Sequence, residues 1–292
     1  MDIVNQPNQT AEGIVGSQEP QKPVTPVVSQ PPTRPEEKRG KIVSIVSVKG
    51  GVGKTTLAAN LGILLAREFA LRCLVVDGDL HLPGIGFHLD ILDPDVTLHD
   101  VLKGEFSITQ AVYVHDYGLH VIPGSVSEEN VSSKGVKEGI MQLSRQYDWV
   151  VIDTMPCLDE DAKNIISSSN EVLIVSSPDF PSITASLKAI KLAREMNLPV
   201  RGVVLNKVRG KDYELSEEEI EETLSLPILA AIPEDPKVYE SLSKRKPVVI
   251  YAPKSPASRE LRKLAQALIG GKKQGKGPLS RLLESLRMPS RR

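Results

Sequence analysis

The sequence predicts an α/β fold, a mostly parallel sheet with helices on both faces, and three observations carry that expectation. Short runs of β-branched and other apolar residues alternate with stretches of helical spacing along most of the 292 residues, a pattern that requires right-handed crossovers between parallel strands. Two of those runs, 72–77 (RCLVVD) and 149–153 (WVVID), are apolar until they close on a carboxylate. Continuous hydrophobicity marks strands buried on both sides, unlike the alternating pattern of a half-exposed sheet. Finally, an apolar run at 41–47 (KIVSIVS) passes through a glycine-rich turn straight into a helical pattern.

Taken in order, residues 1–39 are rich in Gln, Pro, Ser, Thr and Val and lack a hydrophobic period, so they read as a disordered arm unable to offset the entropy of ordering. The first strand follows at 41–47, and a helix at 57–69 places its apolar residues on one face. Further strands are expected at 72–77, 149–153, 171–176, 200–206 and 228–232, with helices at 182–196, 216–224, 236–244 and 258–269. The Gly270-Gly271 pair and the composition shift after it close the compact domain, giving an arm at 1–39, a domain at 40–270 and a basic linker with tail at 271–292.

A formal net charge of −1 and 40% hydrophobic residues fit one substantial core. Two cysteines, Cys73 and Cys157, cannot supply a disulfide framework or a thiolate metal site within one chain, which fits a reducing cytoplasm. Neither a leader pattern nor an apolar run of about twenty residues, the length that spans a bilayer, is present. The five histidines, His81, His88, His99, His115 and His120, show no metal-ligand spacing and read as surface or loop residues, whereas Cys73 lies in a strand and reads as core.

The turn between first strand and first helix carries the chemistry. Residues 49–56 read KGGVGKTT: Gly50, Gly51, Val52 and Gly53 can turn backbone N–H groups inward, and the helix that follows aims its positive end at the same point. Lys54 can then reach the β- and γ-phosphates of a nucleotide, Thr55 can ligate Mg²⁺, and Thr56 completes the loop. A strict phosphate-loop pattern asks for glycine where Val48 stands, and this loop starts instead with a second lysine, Lys49. With that lysine the turn resembles the deviant Walker A loop of the MinD/ParA family of dimerising P-loop ATPases, and the likeness extends over about residues 40 to 270.

The resemblance implies a role for each further candidate. Lys49 would be the signature lysine that reaches the partner subunit's nucleotide; Asp77 would support the metal site through water; Asp79 would orient the attacking water; and Asp153 would be the Walker B acid. The family continues after that acid as Asp-x-Pro-x-Gly, whereas this chain reads DTMPC with Cys157 at the glycine position, so the thiol either crowds the second switch or points away from it. Asn206 resembles the adenine-reading asparagine, and Pro233, Glu234 and Asp235 resemble the loop lining the base pocket. Arg209 stands where a guanine-reading pattern would place Asp, which favours ATP. Relatives carry an acid at the Ala185 position, so part of the dimer coupling is expected to differ.

The tail discriminates among functions. Pro278 can open a helix in which Leu279, Leu282, Leu283 and Leu286 form one apolar stripe, flanked by Lys272, Lys273, Lys276, Arg291 and Arg292. It resembles the membrane-targeting tail of MinD proteins, with 278–288 as the part that meets an anionic membrane. The expectation is an Mg²⁺- and ATP-dependent homodimeric switch, cytoplasmic and peripheral on the inner face of the cell membrane, that positions division or other machinery with an activator or cargo protein. The alternatives are a DNA-partitioning ATPase and a nucleotide-dependent scaffold with negligible turnover.

Overall fold

The computed structural model describes residues 40–127 and 131–270. The expected arm at 1–39 and the expected tail at 271–292 lie outside the described residues. Eight strands form one sheet: β1 Lys41–Val46, β2 Cys73–Gly78, β3 Tyr113–Val114, β4 His120–Ile122, β5 Trp149–Thr154, β6 Glu171–Ser176, β7 Val200–Val208 and β8 Ile228–Pro233. Their spatial order is β3-β4-β2-β5-β1-β6-β7-β8, and every pairing is parallel except that of the short edge strand β3 with β4.

Alternation along the central strands explains how both faces are covered. Val43 and Ile45 of β1, Val75 of β2, Val151 of β5 and Val204 of β7 join one core with helices α1 Lys54–Ile63, α9 Val248–Tyr251 and α10 Pro256–Ile269. On the other face, Ile42 of β1, Leu74 and Val76 of β2, and Val150 and Ile152 of β5 pack with α3 Leu98–Lys103, α4 Val136–Ser144 and α5 Glu160–Ile166. A third cluster on that face joins Val46, Ile174 and Leu205 to α6 Phe180–Glu195 and α7 Glu217–Leu224. Because successive strand side chains point to opposite faces, strands that are apolar at every position demand this three-layer arrangement.

The first helix is interrupted where 57–69 was expected to continue, since α1 passes into a π-helical turn at Leu64–Glu68. Helices α6 and α10 start earlier than the sequence pattern indicates. Their caps Asp179 and Ser255 precede a proline within the first turn, where a missing N–H costs nothing. Between β2 and β5 the chain adds α2 Ile85–His88, α3 and the pair β3/β4, too short to impose a clear period, and the longer α4, which buries Val136, Ile140 and Leu143 at helical spacing. The expected helix over 236–244 is α8 Pro236–Ser243.

Candidate functional site

Neighbouring strand ends bring the candidate residues together. β2, β5 and β1 lie side by side, and the register pairs Asp77 with Asp153 and Ile45 with Asp153, so both carboxylates emerge beside the turn that follows β1. In that turn Gly51 and Gly53 adopt φ of 74° and 96°, values that a side chain strains to reach. A Cβ on Gly53 would also sit 2.3 Å from Asn206 Nδ2, so a larger residue would both strain the backbone and displace the Asn206 amide. Val52 buries its side chain and leaves only its backbone for a ligand. Helix α1 starts without a side-chain cap or an acid in its first turn, so its leading N–H groups and positive dipole end stay available to an anion.

Lys54, the first residue of α1, is 7% exposed; burial lowers its pKa, and the opposing charges of Asp153 and Asp79 restrain that fall. Asp77 and Asp153 are fully buried. Asp77 Oδ2 accepts from Ile85 N at 2.9 Å, but Asp77 Oδ1 and both oxygens of Asp153 find no hydrogen-bond partner among the described residues. Burial, reinforced by the charge of Asp153, raises the pKa of Asp77 well above the carboxylate range. Burial pushes Asp153 up to about 7, against the opposing pull of the neighbouring Thr55 hydroxyl and the Lys54 ammonium. Unpartnered buried carboxylate oxygens are costly, and a hard divalent cation that takes oxygen ligands removes that cost. Asp77, Asp153 and the Thr55 hydroxyl form such an oxygen set, so the residues fit Mg²⁺. Asp79, 7% exposed, turns its Oδ1 onto its own loop, accepting from Leu82 N at 3.0 Å and His81 N at 3.3 Å.

Lys49 takes a different direction from Lys54. Its Nζ donates to Asp179 Oδ1 at 3.0 Å, to Asp179 Oδ2 at 3.2 Å and to Ser182 Oγ at 2.7 Å. Asp179 is also the cap of α6, accepting from Ser182 N at 2.9 Å. Burial would raise its pKa, but hydrogen bonds from Ser177, Ser182 and Lys49 outweigh burial and hold the carboxyl well below its ordinary range. The acid that meets Lys49 is therefore Asp179, and Ala185 lies two turns of α6 further on, half-buried.

A cleft of about 380 Å³ runs from the phosphate loop past Asn206 to Pro233, Glu234 and Asp235. Asn206 Nδ2 donates to Val52 O at 2.7 Å, pinning the end of β7 to the loop. The three residues at the end of β8 divide their tasks. Asp235 is buried and spends its carboxylate on two helix starts, accepting from Lys237 N at 2.9 Å and Ala257 N at 3.2 Å. Glu234 pairs with Arg209 and accepts from Tyr239 Oη at 3.1 Å. The far wall comes from Val238, Tyr239 and Leu242 of α8 and from Ala257 and Leu261 of α10. Sequence reasoning placed those two helices but not the face they turn to the cleft, because apolar residues that line a site have the same spacing as core residues.

Of the two alternatives for Cys157, the structure favours the thiol that points away. Cys157 is not among the described residues with positive φ, Pro156 lines the cleft in its place, and Sγ donates to Asp159 Oδ2 at 3.2 Å. Burial, then the bond to Asp159, pushes the thiol up to about 11. His99 and His120 depart from the surface-or-loop expectation, whereas His81 and His115 lie in loops as expected. His99 is fully buried in α3, its Nε2 bonded to Leu80 O at 3.1 Å, and His120 lies in β4 against Tyr147. His88 of α2 joins Thr56 Oγ1 at 3.1 Å, an unforeseen support for the phosphate loop. The strand position of Cys73 makes it core, fully buried in β2.

Known proteins share this arrangement. The sequence profile of the CobQ/CobB/MinD/ParA nucleotide-binding domain matches residues 43–248. An ATP-binding protein of unestablished role from Methanocaldococcus jannaschii is 32% identical over 233 residues, 79% of this chain and 88% of the relative. The crystal structure of the cell-division ATPase MinD from Pyrococcus furiosus is 36% identical with a TM-score of 0.76, covering 79% of this chain and 99% of that one. The septum site-determining protein MinD from Pyrococcus horikoshii, solved with Mg-ADP, is 32% identical with a TM-score of 0.76, covering 80% and 98%. A phosphate loop opened by Lys49, two buried strand-end acids and this extent of likeness together show that the chain belongs to the CobQ/CobB/MinD/ParA nucleotide-binding family, as an ATPase of the MinD/ParA kind.

Proposed function

We propose that the protein is an Mg-ATP-dependent switch that dimerises on ATP, hydrolyses it and cycles on and off an anionic membrane surface to position cell-division or other machinery. One observation carries the reading. Lys54 is buried in the phosphate loop, while Lys49, from the same loop, is 42% exposed at its rim and held by Asp179 and Ser182. A lysine stored at the rim is available to a second subunit; a lysine inside the cradle is not.

Within one subunit the division of labour follows the geometry. The N–H groups of 50–55 and the Lys54 ammonium would hold the phosphates, and Asp79 would orient the attacking water. Asn206, with the backbone of Pro233 and Glu234, would receive the adenine, while the Asp235 side chain fixes the wall behind them. Thr55, Asp77 and Asp153 would hold Mg²⁺, which neutralises phosphate charge when bound. Lys49 of each subunit would complete the other's site. Pairing two weak tails raises membrane avidity through effective concentration, so nucleotide state would set location.

ATP affinity and molecular mass of Lys54→Ala and Lys49→Ala test the switch. Lys54→Ala is expected to lose nucleotide binding, and Lys49→Ala to bind ATP as a monomer without dimerising. ATP-driven dimerisation of Lys49→Ala at wild-type affinity would remove the basis of the reading. Co-sedimentation with anionic vesicles and with DNA, in ATP and in ADP, tests the location; ATP-dependent binding to DNA alone would assign the protein to partition instead.

A further inference from the structure

The loops that leave β2 and β5 border the nucleotide cleft through Asp79, Leu82 and Pro156, and beside that lining the fold assembles a second constellation. His81, Cys157 and Asp159 each offer one ligand atom, and these atoms all lie within 4.8 Å of one another. We propose that His81, Cys157 and Asp159 form a binding site for a thiophilic divalent cation, zinc by chemistry, that ties the loop after β2 to the loop after β5.

The donor set decides the class of ion. One imidazole nitrogen, one sulfur and one carboxylate oxygen suit zinc, which accepts tetrahedral N, S and O ligands; magnesium prefers six hard oxygens. Tetrahedral zinc bonds of about 2.3 Å to sulfur and 2.0 Å to oxygen imply a sulfur–oxygen separation of about 3.5 Å. The Cys157 Sγ to Asp159 Oδ2 distance is 3.2 Å, already close to that value. His81 is exposed in a loop, so rotation of its ring can close the remaining gap.

Two hydrogen bonds organise the site in advance. Asp159 Oδ1 accepts from Ala162 N at 2.8 Å as the cap of α5, which fixes the carboxylate and leaves Oδ2 turned toward the thiol. On the other side His81 N donates to Asp79 Oδ1 at 3.3 Å, fixing the backbone from which the imidazole extends. On binding, the thiol proton leaves to solvent, the sulfur–metal bond replaces it, and Oδ2 exchanges its bond from S–H for one to the ion. No redox partner is involved. The fourth coordination position faces solvent and is filled by water. The bound ion would link the loop of Asp79 to the loop after Asp153, so metal occupancy would restrain the relative movement of these loops.

No spacing rule could reveal the set, because His81 and Cys157 are 76 positions apart and meet only because β2 and β5 are neighbours. It also revises the expectation from cysteine count: two cysteines exclude a multi-thiolate centre but not a mixed one.

Cobalt(II), a spectroscopic substitute for zinc, tests the site in the full chain without nucleotide. One thiolate-ligated equivalent per chain is expected, read by a near-ultraviolet thiolate-to-cobalt band and visible bands of tetrahedral intensity that oxygen-ligated cobalt does not give, both erased by zinc. Cys157→Ser should abolish the thiolate band. Removal of the other ligands, in His81→Ala and in Asp159→Asn, should weaken cobalt binding tenfold or more; asparagine can keep the cap, so this variant separates ligation from folding. Absence of a thiolate band in wild type would overturn the proposal. So would a band that survives Cys157→Ser, which would have to come from the buried Cys73, or cobalt affinity unchanged in both His81→Ala and Asp159→Asn. Since no nucleotide is present, either result leaves the ATP-switch reading to its own test.

Discussion

Asp179→Asn separates the storage of Lys49 from its use. In the structure the ammonium is held by both Asp179 oxygens and by Ser182 Oγ, so a subunit that sends Lys49 to its partner must first break these contacts. The side chains are 42% and 40% exposed, which places the ion pair in the partly screened regime, about 0.2–1 kcal/mol. Asparagine removes the charge but can still accept from Ser182 N, so the cap of α6 is retained. In the proposed dimer two subunits would each release a lysine, and the two contributions would multiply. Release worth about 0.5 kcal/mol per subunit gives about a fivefold tighter ATP dimer, and about 1 kcal/mol gives about thirtyfold.

Sedimentation velocity with a non-hydrolysed ATP analogue measures the dimer constant directly, and a urea titration of the same variant checks the fold. The loss of negative charge at the start of α6 should cost about 0.3–1 kcal/mol of stability, the usual range for a helix-end charge. A folded Asp179→Asn protein whose ATP dimer is no tighter than wild type would refute the storage argument. A weaker dimer would place Asp179 in the dimer contact itself.

Gly53→Ala should lower stability by about 1–2 kcal/mol from its left-handed backbone alone, and calorimetry should show a further loss because the added Cβ meets Asn206. Burial raises the folded pKa of Asp153 to about 7, above its unfolded value, so its contribution to the metal-free protein is fully present below the ordinary carboxylate range and is lost as pH rises through about 7. Melting temperatures from pH 5 to 8 should therefore fall with rising pH in the metal-free protein, and Asp153→Asn should flatten that slope. Deletion of 278–292 should preserve ATP hydrolysis and abolish sedimentation with anionic vesicles, and undiminished sedimentation would exclude the tail as the membrane contact.

What the sequence made legible was what neighbours along the chain dictate. KGGVGKTT at 49–56 carries its own chemistry, and an apolar run that stops at Asp77 or Asp153 announces a buried strand with an acid at its ligand end. Prolines and caps set the start of α8 as expected. Contacts between distant segments were not legible. Lys49 meets Asp179 across 130 positions, and Asn206 reaches Val52 across 154. Much of the segment between β2 and β5 defeated the pattern for another reason: α2 has four residues, β3 two and β4 three, too few to show a period, whereas α4 does carry Val136, Ile140 and Leu143 at helical spacing. His99 looked like a surface residue by type, yet burial is satisfied by Leu80 O on one nitrogen and Ser125 N on the other.

Charge balance connects the buried acids to the switch. Among the described residues the ammonium that opposes Asp153 and Asp79 is that of Lys54, and Asp77 is buried beside Asp153, so full ionisation would leave more negative charge than Lys54 offsets in a region nearly free of solvent. Burial is the main cause that raises the pKa values of Asp77 and Asp153, and the neighbouring acids add to it, so without a cation protonation is favoured at both. Asp77 and Asp153 would hold a divalent cation by giving up those protons to its two positive charges, so metal binding should release protons and strengthen as pH rises. A bound nucleotide would add its own negative phosphates, which the loop N–H groups and Lys54 would balance more easily once the acids are neutralised. In the proposed site cation and nucleotide would therefore stabilise one another's binding, and neither Asp77 nor Asp153 would need to touch the phosphates for its charge to govern whether they stay.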